Sequence, residues 1–278
     1  MDSLLPSEMA QKAEEVGIAK AKMGLSKTLV LAILAGAFIA FGAAFSTTAT
    51  AGSVMSFGVT KVLGGITFSL GLILVIVGGA ELFTGNNLIV MAWANKKVST
   101  ALVLRNWFLV YVGNMIGAVA IALLVFFSKQ YLFGKGTVMI NMMNIALAKC
   151  QTGFISGIAL GILCNVLVCL AVWLCFSAKT VTGKVISIIF PITAFVACGF
   201  EHCIANMYFV PLGMLIKTFG GEEAYAIMES NNVNYDALNI SEFITNNLIP
   251  VTIGNVIGGA VLVGMVYWFV FLRKQKVR

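Results

Sequence analysis

Long uncharged runs decide most of what this chain can become. Residues 28–60, 106–128, 151–178 and 243–272 contain no Asp, Glu, Lys, Arg or His. Each reaches the roughly 20 apolar residues that carry a helix across a bilayer. Two further apolar segments are interrupted, residues 62–95 by Glu81 and residues 185–216 by Glu201 and His202. Inside a bilayer the backbone has no water to bond, so spanning segments must be helical. The pattern therefore predicts an all-α membrane protein with six transmembrane helices, of which the second and fifth are broken.

Composition narrows the choice further. Only 10% of the 278 residues are charged and 60% are hydrophobic, against about 25% charged in soluble domains. Separate soluble domains are excluded on that ground. Three parts are expected: a cytoplasmic N-terminal amphipathic helix in residues 1–27, a channel domain in 28–272 and a basic tail in 273–278. The polar start, with Glu8, Glu14 and Glu15 among lysines, does not read as a secretory signal. The net charge of +7 is not read as a nucleic-acid footprint. Its placement instead orients the chain. With the N-terminus inside, only Lys61, Lys129, Lys135, Lys149 and Lys217 fall outside, and every other Lys and Arg falls inside. Both termini are thus expected in the cytoplasm. In residues 7–22, Met9, Ala13 and Val16 share a face, with Ile18 at its edge. That helix is expected to lie on the membrane surface or grip a neighbour. None of the six cysteines stands at zinc-ligand spacing, so no metal or cofactor is expected.

The two halves resemble each other. Gly79-x-Glu81-x4-Asn86 recurs as Gly199-x-Glu201-x4-Asn206. Gly113-Asn114-x-Ile116-Gly117 recurs as Gly254-Asn255-x-Ile257-Gly258. The first and fourth segments align only weakly, through Gly36 and Gly157. Three spans per half is an odd number, so the second half must be inverted. Inverted repeats with matched breaks point to a permeation site at the midplane. Gly-Asn pairs alone also suit close helix packing.

A carboxylate at the bilayer centre costs at least about 2.5 kcal/mol. Glu81 and Glu201 are therefore read as braces that accept N–H groups from unwound backbone, with Asn86 and Asn206 beside them; a proton relay is the rival role. His202, the only histidine, lies in the second break. Burial disfavours the charged imidazolium, whereas an arriving anion favours it. A pore histidine can thus attract a small anion and neutralise it, and the neutral acid crosses an apolar constriction more cheaply. Phe68, Leu72, Leu82 and Phe195 flank the breaks and suit such constrictions. Periodicity does not say which of them face a pore, and by sequence physics alone each reads first as core packing. Thr84 reads as a hydrogen-bonding partner of the ion or of His202, or as a helix cap.

At these residues the chain resembles the formate/nitrite transporter family, and within it the bacterial formate-channel branch. The carriers are Glu81-Leu82-Phe83-Thr84-Gly85-Asn86, Cys164-Asn165-Val166-Leu167-Val168-Cys169 and Gly199-Phe200-Glu201-His202-Cys203-Ile204-Ala205-Asn206-Met207. Ile249-Pro250-Val251-Thr252-Ile253-Gly254-Asn255 adds to them. The resemblance implies an aquaporin-like protomer assembling as a homopentamer in the bacterial inner membrane, with formate or a similar anion as cargo. It assigns His202, Thr84, Asn165 and Lys149 to the substrate path, Lys149 as the vestibule lysine that concentrates anions. It assigns Phe68, Leu72, Leu82, Phe195 and Val168 to constrictions. The chain departs from formate channels at Gly85-Asn86-Asn87, where small Ser or Thr residues are frequent, so nitrite and hydrosulfide stand as alternative cargo. A membrane enzyme built on Glu81, Glu201 and His202 lacks a metal cluster, nucleophile motif or cofactor loop. A water pore of aquaporin type would need Asn-Pro-Ala pairs, which the sequence lacks.

Overall fold

The structure is a computed structural model that describes residues 3–273. Of the expected basic tail, residues 274–278 lie outside the described residues. The helices are α1 (Pro6–Lys22), α2 (Leu25–Thr50) and α3 (Phe57–Gly78). Then comes α4, a chain of short turns (Phe83–Asn86, Asn87–Ile89 and Val90–Ala94), followed by α5 (Thr100–Phe127) and α6 (Thr137–Cys150). The second half holds α7 (Phe154–Ser177), α8 (Val181–Ala197), α9 (Cys203–Phe219), α10 (Gly221–Ser230) and α11 (Ile240–Leu272). No strand occurs among the described residues.

Helices α2, α3, α5, α7 and α11 are long and apolar enough to cross a membrane. The broken pair α8–α9 supplies the sixth crossing. Several helices run past the uncharged runs: Lys61 lies in α3 and Arg105 in α5. Their ends reach the interfacial zone, where a cation is solvated. The segment 218–242, whose Glu222, Glu223, Glu229, Asp236 and Glu242 stand without Lys or Arg, reads in the sequence as an outer loop. It is helical in part: α9 turns by 105° into α10.

The internal repeat is deeper than the sequence pattern indicated. Glu81 N–H donates to Leu31 O, and Glu201 N–H donates to Leu160 O. Asn114 Nδ2 donates to Ala32 O, and Asn255 Nδ2 to Gly161 O. These pairs superpose the first and fourth spans with a shift of 129 positions, Leu31 onto Leu160. The expected match of Gly36 to Gly157 is therefore in the wrong register; Gly36 corresponds to Asn165. The error arose because glycine is frequent in every span, so a single shared glycine carries no register.

The same shift brings α1 onto α6. The buried residues Met9, Ala10, Ala13, Gly17 and Ala21 of α1 fall on Val138, Met139, Met142, Ala146 and Cys150, all buried in α6. Arg105 donates to Ala21 O and, equivalently, Asn246 donates to Cys150 O. Helix α1 therefore packs on the protein as a repeat element. Its contact face is Met9 followed by the small residues Ala10, Ala13, Gly17 and Ala21, whereas Val16 and Ile18 remain only partly covered.

The two halves meet at self-paired positions. Tyr111 Oη and Thr252 Oγ1, 141 positions apart, are 3.0 Å from each other, and 141 is also the shift between their motifs. Ser69 Oγ faces Ile189 O across the 120-position shift of the broken helices, at 3.5 Å. Equivalent residues touch only on the two-fold pseudo-axis. In a bilayer an axis relating inverted halves lies at the midplane.

Candidate functional site

Each broken helix ends on a glycine in the left-handed region, Gly79 at φ +79° and Gly199 at φ +72°. Glycine adopts that conformation without the steric cost of a Cβ. The chain then runs extended through Glu81-Leu82 or Glu201-His202 before a new helix starts. A bilayer leaves no water for the freed backbone groups, and two asparagines take them. Asn114 Oδ1 accepts from Phe83 N–H at 2.9 Å while its amide donates to Glu81 O. Asn255 Oδ1 accepts from Cys203 N–H at 3.0 Å while its amide donates to Glu201 O. The neighbouring glycines permit this approach: a Cβ on Gly117 would stand 1.9 Å from Ile33 O, and one on Gly258 2.3 Å from Ile162 O. The repeated Gly-Asn pairs thus serve both close packing and the breaks.

The carboxylates brace the loops through side chains, and not through loop N–H groups as expected. Glu81 Oε1 accepts from Lys20 Nζ at 2.6 Å, and Oε2 from Asn86 Nδ2 at 2.8 Å. Glu201 Oε1 accepts from Lys149 Nζ at 2.5 Å. Its Oε2 accepts from Asn206 Nδ2 at 2.7 Å and Asn247 Nδ2 at 3.1 Å. Asn106 takes the place of Asn247 in the first triad, bonded to Asn86 at 3.0 Å. Backbone groups were satisfied elsewhere, so the carboxylates were left to partner amides and ammoniums. Lys20, Asn106 and Asn247 were missed in the sequence reading. Their spacing was the available signal: Lys20 and Lys149 share the 129-position shift, Asn106 and Asn247 the 141-position shift.

His202 sits at the N-terminus of α9, 3% exposed. Its Nδ1 accepts from Ala205 N–H at 3.2 Å, so the neutral ring carries its proton on Nε2. That Nε2–H then donates to Thr84 Oγ1 at 3.0 Å. The Thr84 hydroxyl proton is left free for another acceptor. The ring stacks on Phe195, with centroids 6.0 Å apart, and Phe195 meets Phe68 edge-on at 5.6 Å.

Two cavities reach this region and share no lining residue: His202 lines one, and Leu82 and Gly85, either side of Thr84 in the chain, line the other. One, of 370 Å³, is lined by Phe68, Phe195, Lys149, Glu201, His202 and Asn206, among others. The other, of 490 Å³, is lined by Leu72, Leu82, Glu81, Asn86 and Lys20, among others. Phe68 and Leu72, one turn apart on α3, thus line different cavities. Thr84, Val168 and Asn165 line neither. Asn165 is fully buried, and its amide holds Thr84 O, Asn87 Oδ1 and Asn255 O. Through these bonds it holds the Thr84 loop against Asn87 and Asn255. Val168 is buried in the main core.

Residues 7–269 match the formate/nitrite transporter family. The chain belongs to that family. It is 45% identical over 275 residues to the formate channel FocA of Escherichia coli K12, covering 99% of this chain and 96% of that protein. It is 39% identical to the formate channel FocA of Haemophilus influenzae, over 95% of this chain and 93% of that one. Among solved structures, a pentameric formate channel with formate bound aligns at a TM-score of 0.82 and 44% identity, over 90% of this chain and 98% of that one. Membership of a transporter family answers the enzyme alternative, since the chemistry of the family is passage and not turnover.

Proposed function

We propose that the chain conducts formate in both directions, each protomer of a homopentamer carrying its own pore through the bacterial inner membrane. The names of the relatives above support the cargo and the assembly. The Lys and Arg bias supports cytoplasmic termini, which turn the Lys149 cavity outward and the Lys20 cavity inward.

The buried His202–Thr84 pair, in the region that both cavities reach, carries this reading. Formate enters the Lys149 cavity and passes the Phe68 and Phe195 rings. It then accepts from His202 Nε2–H and from the Thr84 hydroxyl. Proton delivery requires the imidazolium, so for each formate neutralised the ring takes up one proton from water in the outer cavity and gives up one from Nε2. The charged state puts a second N–H on Nδ1, facing the Ala205 N–H. The cap is then lost, at a cost of about 1 kcal/mol. Charging of the ring is thereby tied to the anion's arrival, because an adjacent negative charge offsets this cost and the desolvation of the cation. The acid, neutral or nearly so, leaves past Leu72 and Leu82.

The test is flux into proteoliposomes for formate, nitrite, hydrosulfide and lactate across pH. Formate passage that changes with pH in the native protein, and loses that dependence in His202→Asn, is expected. Unchanged flux at every pH in the variant removes His202 from the mechanism. Faster nitrite or hydrosulfide than formate gives the cargo to the alternative. The Gly85-Asn86-Asn87 departure that raised it is tied up structurally: the Asn86 amide serves Glu81 and the Asn87 amide bonds Phe83 O.

A further inference from the structure

We propose that Lys61, and not Lys149, supplies the net charge that draws the anion into the outer cavity; this rests on the channel reading above. A lysine recruits an anion at a distance only if its own charge is uncompensated. Lys149 fails that condition: its ammonium lies 2.5 Å from Glu201 Oε1, and the pair is neutral when viewed from the cavity mouth. Lys149 retains short-range N–H donors for an ion already inside, but it offers little long-range field.

Three charged side chains line this cavity, Lys61, Lys149 and Glu201. With the last two cancelling, Lys61 leaves the cavity with one positive charge. Among the described residues no carboxylate lies within 4.0 Å of its ammonium, since the ion pairs are formed by other lysines. The ammonium instead sits 5.4 Å from the Phe57 ring centroid. An exposed cation over a ring keeps its full charge. The setting sharpens the effect. The surface on this side carries Glu222, Glu223, Glu229 and Asp236, none of which lines the cavity. Lys129, Lys135 and Lys217 also lie on this face, but none of them lines the cavity, so Lys61 is the uncompensated charge at its mouth. A single sign of charge at a cleft with low-dielectric walls focuses the field there.

The expected size follows from Coulomb's law. One unit charge roughly 8 Å from the ion in water raises its local concentration about two- to three-fold. The experiment measures initial formate uptake into right-side-out membrane vesicles for the native protein, Lys61→Gln and Lys61→Arg. At about 0.01 M ionic strength, where the Debye length is about 30 Å, Lys61→Gln should raise the half-saturating formate concentration two- to three-fold and leave the maximal rate unchanged. Lys61→Arg should restore the native value. Near 1 M salt, where screening acts within about 3 Å, the three proteins should coincide. An unchanged half-saturation at low salt overturns the proposal. So does a defect that persists at high salt or in Lys61→Arg, because that marks a packing role. Native protein that carries no formate refutes the channel reading instead, and is recognised before any variant is compared.

Discussion

The Lys149–Glu201 pair yields the sharpest test of how the second break is held together. Its side chains are 17% and 6% exposed, with 2.5 Å between charged atoms. Removing one partner of a buried pair costs about 3–5 kcal/mol, because the survivor keeps its charge without a counterion. Lys149→Met strands the carboxylate of Glu201, but the amides of Asn206 and Asn247 still donate to Oε2. The loss is therefore expected at the low end, about 3 kcal/mol. Glu201→Gln leaves Lys149 on the cavity wall, able to reach water, and loses about 2 kcal/mol of charge-assisted bonding. The double variant carries neither charge, and its Gln oxygen keeps both asparagine donors. It should lose about 2 kcal/mol in total, well short of the roughly 5 kcal/mol that independent sites would give. Equilibrium SDS unfolding of the purified protein, followed by tryptophan fluorescence and far-UV circular dichroism, measures all three. Losses that add within about 0.5 kcal/mol mean that the two residues are not coupled, and the brace reading fails.

The close helix crossings give a second outcome. Gly117→Val places a Cβ 1.9 Å from Ile33 O, so folded protein should vanish from size-exclusion profiles, whereas Gly24→Ala, with nothing within 4 Å, should leave the profile unchanged. Orientation is checked by labelling with a membrane-impermeant maleimide in intact cells: Lys135→Cys should label directly and Lys96→Cys only after permeabilisation. The reverse pattern would invert the proposed topology and exchange the two mouths.

Much was legible before any coordinates. Runs free of charge marked the spans because the cost of a charge in hydrocarbon leaves few ways to place one. The two exceptions, Glu81 and Glu201-His202, stood out for the same reason, and they are the helix breaks. For Thr84 the sequence left three roles open, the ion, His202 or a helix cap, and the hydrogen bond to His202 came from the fold. The register of the first and fourth spans was not legible, because it rests on main-chain acceptors, Leu31 and Leu160, whose side chains carry no mark of that role. Nor were the bonds of Asn165, whose amide ties Thr84 O, Asn87 Oδ1 and Asn255 O together across three segments.

What the linear chain determined by itself is the membrane class, the number of crossings and the positions of the two breaks, since each follows from local solvation of the residues concerned. Tertiary structure alone decided which lysine neutralises which glutamate, which asparagines take the freed backbone groups, and which tautomer His202 adopts. Those outcomes depend on groups separated by 52 positions, as for Lys149 and Glu201, or 118, as for Thr84 and His202. Nothing in a short stretch of sequence encodes a distance between such partners. Only packed helices bring them within reach.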